Sequence, residues 1–260
     1  MTALKTCLSA LAGITAWVTL SMPVAAADLA NTVARVRPSV LPVGTYKETD
    51  NPRFGFRGTG FVIGDGNHVV TSFHVLPAGF DSDSGPRLAV LIARPENTGH
   101  EARNARVVTT DRANDLALLR VDGPPMPALL LEDAGVVREG QAIALIGFPI
   151  GGTLGFSPVT HRGIIASITT LALPAPNSRL LDPRAVMRLR DGNFEVYQLD
   201  ATAYPGNSGG PVVDANTGLV LGVVNMVLVK GSRETALTHP TGISYAIPVR
   251  HLHELLKTAR

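Results

Sequence analysis

Residues 206–214 read Gly-Asn-Ser-Gly-Gly-Pro-Val-Val-Asp, and this stretch does most to decide the fold. A serine hydroxyl attacks a carbonyl only when a base removes its proton and backbone N–H groups stabilise the oxyanion that forms. Glycines on both sides of Ser208 permit a tight turn that aims several N–H groups at one point. A lone Gly-x-Ser-x-Gly is usually an ordinary turn, but this longer string is more specific. We therefore take Ser208 as a candidate nucleophile.

A histidine is the natural base for such a serine, and His74 has the most suggestive surroundings. It follows the apolar run at residues 68–73 and precedes Val75, so it is expected where a strand meets a loop. A histidine at that position beneath a cleft can accept the serine proton. Four other histidines are weaker candidates because they are expected in polar loops or on the surface of a terminal helix: His100, His239, His251 and His253.

A third residue must hold the histidine in the right tautomer and stabilise its protonated form. Asp115 opens the apolar run at residues 116–121, where a carboxylate would be partly buried and would need a partner. Asp111 is the nearest rival, but it lies in the polar stretch 110–114 and is expected to stabilise a turn. The sequence therefore favours Asp115.

The order of the candidates along the chain, His74, Asp115 and Ser208, separates two folds. The α/β-hydrolase fold also places a serine between glycines, but its order is serine, acid, histidine, and a helix follows the serine. Here the residues after the serine turn read Pro211-Val212-Val213-Asp214, which predicts a strand and a turn. Both observations favour the arrangement of chymotrypsin.

Most of the chain consists of short apolar or β-branched runs separated by Gly, Pro, Asn and Asp. Eleven such runs are candidate strands, at residues 59–63, 68–72, 88–93, 105–109, 116–121, 142–146, 163–168, 194–199, 210–213, 220–229 and 243–247. Helices are predicted only near the ends, one at residues 29–36 before Pro38 and one after Pro248. We therefore predict an all-β protein, either a barrel or a sandwich, with a helix at its C-terminal end.

The chain resembles the HtrA-like (Deg-type) branch of the chymotrypsin-like serine proteases. Six motifs carry the resemblance, and they occur in order from about residue 30 to 250. They are Gly58-Thr59-Gly60-Phe61-Val62-Ile63, Val70-Thr71-Ser72-Phe73-His74-Val75, Asp115-Leu116-Ala117-Leu118-Leu119, Gly147-Phe148-Pro149-Ile150-Gly151, Leu199-Asp200-Ala201 through Gly206-Asn207-Ser208-Gly209-Gly210-Pro211, and Gly242-Ile243-Ser244-Tyr245-Ala246-Ile247-Pro248.

The resemblance implies an all-β fold, a chymotrypsin-like double six-stranded β-barrel with a C-terminal helix. It further implies a secreted or periplasmic serine endopeptidase that hydrolyses peptide bonds through a triad of His74, Asp115 and Ser208 and an acyl-enzyme. It also implies that the backbone N–H groups of Gly206 and Ser208 form the oxyanion hole. No metal or cofactor is implied. The expected partners are peptide or protein substrates.

Family analogy also indicates how a substrate would bind. The peptide is expected to lie as an added strand along Asn225, Met226 and Val227. These residues, together with Thr202 and Tyr204, are expected to shape the specificity pocket. None of the five side chains is acidic, which argues against a preference for Arg or Lys and favours a small or medium aliphatic residue.

The first 27 residues differ from the rest. A single basic residue, Lys5, precedes an apolar run at about residues 8–20 and then Ala25-Ala26-Ala27, a pattern typical of a secretory signal peptide. An uncleaved membrane anchor is the alternative, although the run is short for a bilayer span of about 20 residues. We therefore expect an exported bacterial protein, periplasmic or extracellular, with no stable membrane span once the signal is removed.

Removal of this segment would take away Cys7 and Trp17, the only cysteine and the only tryptophan. Disulfides and thiolate metal sites are then excluded. The net charge falls from +2 to +1, because the segment carries one basic and no acidic residue, and this is too little to indicate nucleic acid as a partner. We expect an N-terminal barrel with the histidine and the aspartate at residues 28–140, and a C-terminal barrel with the serine and the last helix at residues 141–260.

Several points stay open in the sequence. The HtrA-like proteins usually carry PDZ domains after the protease domain, whereas this chain ends at Arg260, so we expect the protease domain only and leave the oligomeric state open. The stretch Thr169–Asn193 is expected to be a long loop near the active site. Alternatives to a constitutive protease are an esterase with the same triad and a non-catalytic or partner-activated protein-binding or chaperone-like module on the same fold.

Overall fold

The computed structural model describes residues 29–79, 86–94, 99–133, 137–149, 151, 155–170, 195–225 and 242–259. The expected signal peptide, the two pocket residues Met226 and Val227 and residues 171–193 of the expected loop lie outside this part of the chain. In the described part, neither helix has the length and apolar character needed to cross a membrane.

The first six strands close into one antiparallel barrel with the order β1-β2-β3-β6-β5-β4. Its core is filled by aliphatic side chains from alternating positions, among them Val43, Val62, Val69 and Leu119, all fully buried. The strands are β1 (Val40–Tyr46), β2 (Phe54–Ile63), β3 (His68–Ser72), β4 (Arg87–Ala93), β5 (His100–Asp111) and β6 (Leu116–Val121).

The last six strands close into a second antiparallel barrel with the order β10-β11-β12-β9-β8-β7. Ile143, Leu145, Leu199 and Leu221 are fully buried inside it. The strands are β7 (Ala142–Gly147), β8 (Val159–Thr170), β9 (Glu195–Asp200), β10 (Pro211–Asp214), β11 (Val220–Val224) and β12 (Ile243–Pro248).

A third hydrophobic cluster joins the two barrels and the terminal helices. Phe61 and Leu118 of the first barrel contribute to it together with Ile146 and Val223 of the second. Helix α1 (Leu29–Val36) and helix α2 (Val249–Thr258) pack on its edges. The predicted double barrel with a C-terminal helix is confirmed.

One strand was missed and two local predictions were wrong. The missed strand is β1, because Pro42 and Gly44 interrupt its apolar pattern. The run at 220–229 was predicted as one strand, but β11 ends at Val224 and Asn225 lies outside it. His251 was expected on the surface of the last helix, yet its side chain is only 12% exposed, and its buried Nε2 has no hydrogen-bond partner in the part of the chain that the structure describes.

Candidate active site

The loop after β3 positions His74. The strand ends at Ser72, and the residues Phe73–Val75 form a single 3₁₀ turn whose middle residue is His74. The Phe73 N–H donates to the backbone carbonyl of Asp115 at 3.0 Å. This backbone hydrogen bond joins the turn to the residue that precedes β6.

One carboxylate holds His74 at two points. Asp115 Oδ1 accepts the His74 backbone N–H at 2.9 Å, and Asp115 Oδ2 accepts a hydrogen bond from the ring Nδ1 at 2.6 Å. Because a carboxylate can only accept, the proton of a neutral ring belongs on Nδ1, and Nε2 is left as the acceptor. This is the tautomer that a general base for a serine hydroxyl requires.

Asp115 itself is nearly buried, with 9% of its surface exposed, and its φ is +55°. This left-handed backbone is uncommon outside glycine and is tolerated best by Asp and Asn. Asn225 Nδ2 donates to Asp115 Oδ2 at 2.9 Å. The buried carboxylate is thus hydrogen-bonded from both barrels, as a buried charge must be.

The contact between Asn225 and Asp115 was not predicted. Asn225 was expected to line the substrate site, and the structure places its side-chain amide on the carboxylate that holds His74. Its own backbone N–H donates to the Tyr245 carbonyl at 2.9 Å. The only sign in the sequence that this side chain needs a partner was the position of a polar residue directly after the apolar run at residues 220–224.

Ser208 lies in the turn between β9 and β10 and is 5% exposed. The N–H groups of Asn207, Gly209 and Gly210 all donate to backbone carbonyls, at 2.9–3.0 Å. Among the described residues, the N–H groups of Gly206 and Ser208 make no hydrogen bond. Among the donors of the turn, the N–H groups of Gly206 and Ser208, one on each side of Asn207, are therefore left for an acceptor outside the described residues.

The serine turn is anchored on the first barrel by Thr59 of β2, which is fully buried. The Thr59 N–H donates to the Ser208 carbonyl at 2.9 Å, and its hydroxyl donates to the Gly206 carbonyl at 2.7 Å. The same hydroxyl accepts the Phe148 N–H at 3.1 Å. Sequence reasoning assigned no role to Thr59, since nothing local indicates that it contacts residues about 150 positions away.

Gly58 of β2 lies between the loop that carries His74 and the serine turn. A Cβ added to Gly58 would lie 2.6 Å from Val75 Cγ2 and 2.9 Å from the Ser208 carbonyl oxygen. The residue after His74 and the backbone of Ser208 therefore contact the same glycine. No hydrogen bond joins Ser208 Oγ to His74 Nε2 within the described residues, and such bonds are often long in enzymes without substrate.

The predicted pocket residues Thr202 and Tyr204 are half-buried on the segment that leads to the serine turn. The Tyr204 ring lies against the His161 ring of β8, with the centroids 5.7 Å apart. His161 Nε2 is buried and has no hydrogen-bond partner among the described residues, and burial lowers the pKa of His161 below 6.5. Ser244 of β12 fixes the base of this segment, because its hydroxyl accepts the Ala203 N–H at 3.0 Å.

Within the described residues, no group of three or more His, Cys, Asp or Glu side chains is placed to hold a metal ion. The groups that the site offers are an acceptor nitrogen on His74, a nearly buried hydroxyl on Ser208 and two backbone N–H donors that have no acceptor among the described residues.

Comparison with known proteins assigns the family. The trypsin-like peptidase domain matches residues 58–223. A probable periplasmic serine endoprotease of the DegP-like type from Halomonas elongata is 31% identical over 192 residues, which is 74% of this chain and 32% of that protein. Serine protease HTRA1A of Danio rerio is 26% identical over 236 residues, which is 88% of this chain and 40% of that protein.

A solved structure titled HtrA-type protease AlgW with decapeptide has a TM-score of 0.64 at 23% identity and covers 89% of this chain and 67% of that chain. This likeness supports the double-barrel fold. The chain spans about a third of the length of the bacterial relatives that it matches. The resemblance to the HtrA-like branch is confirmed, and the chain belongs to the trypsin-like peptidase family.

Proposed function

We propose that this protein is a serine endopeptidase in which Ser208 is the nucleophile, His74 the general base and acid, and Asp115 the residue that orients His74. The observation that carries the proposal is the pair of hydrogen bonds that the backbone N–H and the ring Nδ1 of His74 donate to one nearly buried carboxylate. A surface histidine needs no such fixation, whereas a proton carrier needs one tautomer and one orientation.

The chemistry is acyl transfer in two halves. Ser208 Oγ forms a bond to the peptide carbonyl carbon while its proton passes to His74 Nε2. The C–N bond then breaks, and His74 gives that proton to the departing amine. Water enters, loses a proton to His74 and attacks the acyl-enzyme, and the proton returns to Ser208 as the ester bond breaks. Asp115 stays ionised throughout and stabilises the imidazolium.

The oxyanion of both tetrahedral intermediates accepts hydrogen bonds from the N–H groups of Gly206 and Ser208. Support comes from the turn itself, in which these two donors have no acceptor among the described residues while the three neighbouring N–H groups donate to backbone carbonyls. The Thr59 hydroxyl donates to the carbonyl of Gly206 and so fixes the peptide plane between Gly206 and Asn207, which lies between the two planes that carry the donors. Preorganised donors of this kind usually supply one of the largest contributions to rate.

The substrate is a peptide chain whose acyl part lies along Asn225, where β11 ends. Thr202 and Tyr204 contribute to the pocket for the residue before the cleaved bond, and the absence of an acidic group among these three side chains favours an aliphatic residue there. Export to the bacterial periplasm or beyond is supported by the signal-like pattern of residues 1–27 and by the names of the bacterial relatives.

The proposal is tested by labelling the exported form of the protein with a fluorophosphonate and reading the intact mass. We expect one adduct on the wild type and none on Ser208→Ala or His74→Ala. Cleavage of denatured β-casein, compared with hydrolysis of a simple ester, separates a peptidase from an esterase.

A folded wild-type protein that takes up no phosphonate and leaves β-casein intact would overturn the proposal. That result would favour the alternative, a partner-activated or non-catalytic protein-binding module. Circular dichroism of all three proteins is the control, since a variant that fails to fold says nothing about its active site.

A further inference from the structure

Arg57 of β2 contacts the loop that carries His74. Its Nε donates to the carbonyl of Val75 at 2.5 Å, and its Nη2 donates to the carbonyl of Leu76 at 3.0 Å. These carbonyls belong to the two residues that directly follow His74. The guanidinium is therefore held within one or two residues of the proposed general base.

The charge of Arg57 is not neutralised by the part of the chain that the structure describes. None of the ion pairs there includes Arg57, and its two hydrogen-bond acceptors are uncharged carbonyls. The residue is exposed, and its Nη1 makes no hydrogen bond to a described residue. Arginine keeps its charge at every physiological pH, and its planar fork suits a carboxylate.

The position of Ser208 between the two barrels tells which part of a substrate meets this charge. The turn is bound to β11 on one side, through the Gly209 N–H and the Val224 carbonyl, and to β2 on the other, through the Thr59 N–H and the Ser208 carbonyl. In the proposed function the acyl part lies on the β11 side. The amine part, which receives its proton from His74, then leaves over β2 and residues 75–76, where Arg57 lies.

We propose that Arg57 is a specificity-determining residue that favours substrates with an acidic side chain within the first two residues on the amine side of the cleaved bond. The inference rests on the proposed function. A carboxylate there meets an unpaired guanidinium whose position is already fixed by two carbonyls, so little further ordering is needed on binding. A lysine at the same place meets a like charge.

The test uses quenched fluorescent peptides built on the first site at which the protein cleaves denatured β-casein. Three peptides share the acyl side and carry Glu, Gln or Lys at the second residue after the cleaved bond. For an exposed pair we expect kcat/KM to be about fivefold higher with Glu than with Lys, and this ratio to shrink as salt is added.

Two variants separate charge from structure. Arg57→Gln should bring the Glu/Lys ratio to within about twofold of one, whereas Arg57→Lys, which keeps the charge, should retain most of it. The ratio is read within each protein, so a general loss of activity from a loosened His74 loop cancels. Arg106→Gln removes an exposed arginine of β5 and should leave the ratio unchanged.

A Glu/Lys ratio near one in the wild type, or a ratio that persists in Arg57→Gln, would overturn the inference and leave Arg57 as a structural contact only. Equal loss of the ratio in the Gln and Lys variants would also overturn it, since charge would then not be the cause. If neither the phosphonate nor β-casein reacts, the proposed function fails, and this inference falls with it.

Discussion

The two halves of the candidate site are built by different means. In the first barrel, the side chain of Asp115 holds His74, because its carboxylate accepts hydrogen bonds from both the backbone and the ring of the histidine. In the second barrel, backbone hydrogen bonds hold Ser208 in a turn. Two glycines of that turn, Gly206 and Gly209, have φ values of +107° and +85°. The first half therefore depends on the chemistry of the Asp115 carboxylate, and the second depends on glycines, which have no side chain.

This difference indicates what each half will tolerate. A substitution that keeps the shape of Asp115 but changes its chemistry should spare the fold and destroy the proton transfer. A substitution that adds one carbon to the serine turn should damage the fold itself. The following variants probe that contrast, beginning with the largest expected effect.

Asp115→Asn should lower kcat by about 10³–10⁴-fold while leaving the fold intact. Asparagine tolerates the backbone at φ +55°, but its amide no longer offers two acceptors, so the ring of His74 is no longer held in the tautomer that leaves Nε2 free. The measurement is kcat on a β-casein-derived peptide, together with the melting temperature.

Asp111→Asn is the matched control for this variant. The Asp111 carboxylate accepts the N–H groups of Ala113 and Asn114 in a turn, which an asparagine oxygen can also do, so activity should be kept. More than about a tenth of wild-type activity in Asp115→Asn would contradict an orienting role for Asp115, because the expected loss is at least 10³-fold.

Gly209→Ala should destabilise the protein by about 3 kcal/mol or more, which lowers the melting temperature by about 6–12 °C or prevents folding. The added Cβ would lie 2.2 Å from the Thr59 carbonyl oxygen and 2.4 Å from Thr71 Oγ1. Both atoms belong to the first barrel, so relief of the clash requires the two barrels to move apart. Thermal unfolding followed by circular dichroism measures the effect.

Gly64→Ala isolates the backbone strain from the clash. Gly64 also has a positive φ, +62°, but nothing lies within 4 Å of its added Cβ. Its cost should be only about 1–2 kcal/mol. Equal losses in the two variants would mean that close contact with the first barrel does not constrain the serine turn.

The sequence predicted the fold well where one local pattern sufficed. The runs at His68–Ser72 and Leu116–Val121 were predicted with the bounds that the structure gives, because each consists mostly of apolar or β-branched residues and begins directly after polar turn residues. Strand β1 was missed because Pro42 and Gly44 have low strand propensity. Tertiary pairing outweighs that propensity, since β1 lies between β2 and β4, and the pairing to β4 begins only at Val43, after the proline.

The candidate site shows the limit of the same reasoning. The residue types with strong chemical signatures, His74, Asp115 and Ser208, could be selected from the sequence, and their catalytic roles stay a prediction until they are tested. The roles of Thr59 and Asn225 could not be predicted. Each depends on a contact between barrels, over 147 and 110 positions of sequence respectively, and a threonine or an asparagine has many ordinary uses.

Thr59→Val tests the connection between the two halves of the site, because Thr59 of the first barrel donates to the serine turn of the second. Valine keeps the size of the side chain but neither donates to the Gly206 carbonyl nor accepts from Phe148. Two buried backbone groups are left unpaired, which should cost about 2 kcal/mol or more of stability. Activity should fall by about tenfold as the Gly206 peptide loses its fixed orientation.

Thr59→Ser restores the hydroxyl and serves as the control. It should recover most of the activity and lose only the packing of one methyl group. Retention of full activity in Thr59→Val, measured by the rate of phosphonate labelling, would mean that the turn keeps its geometry without this contact.

The smallest expected effect concerns the pH dependence of stability through His161. Burial against Tyr204 lowers the pKa of His161 below the value of 6.5 expected for the unfolded chain. The unfolded chain therefore binds a proton before the folded protein does, so stability is complete above pH 6.5 and is lost as the pH falls through the lowered pKa. His161→Gln should flatten the decrease in melting temperature between pH 7.5 and pH 5 relative to the wild type.

Burial also lowers the pKa of His251, so His251→Gln should flatten the decrease in melting temperature independently. The two effects should add because the residues lie on different elements. An unchanged pH profile in both variants would show that these rings are already exposed to water in the folded protein, and the segment that leads to the serine turn would then lack the apolar support that His161 and Tyr204 give it.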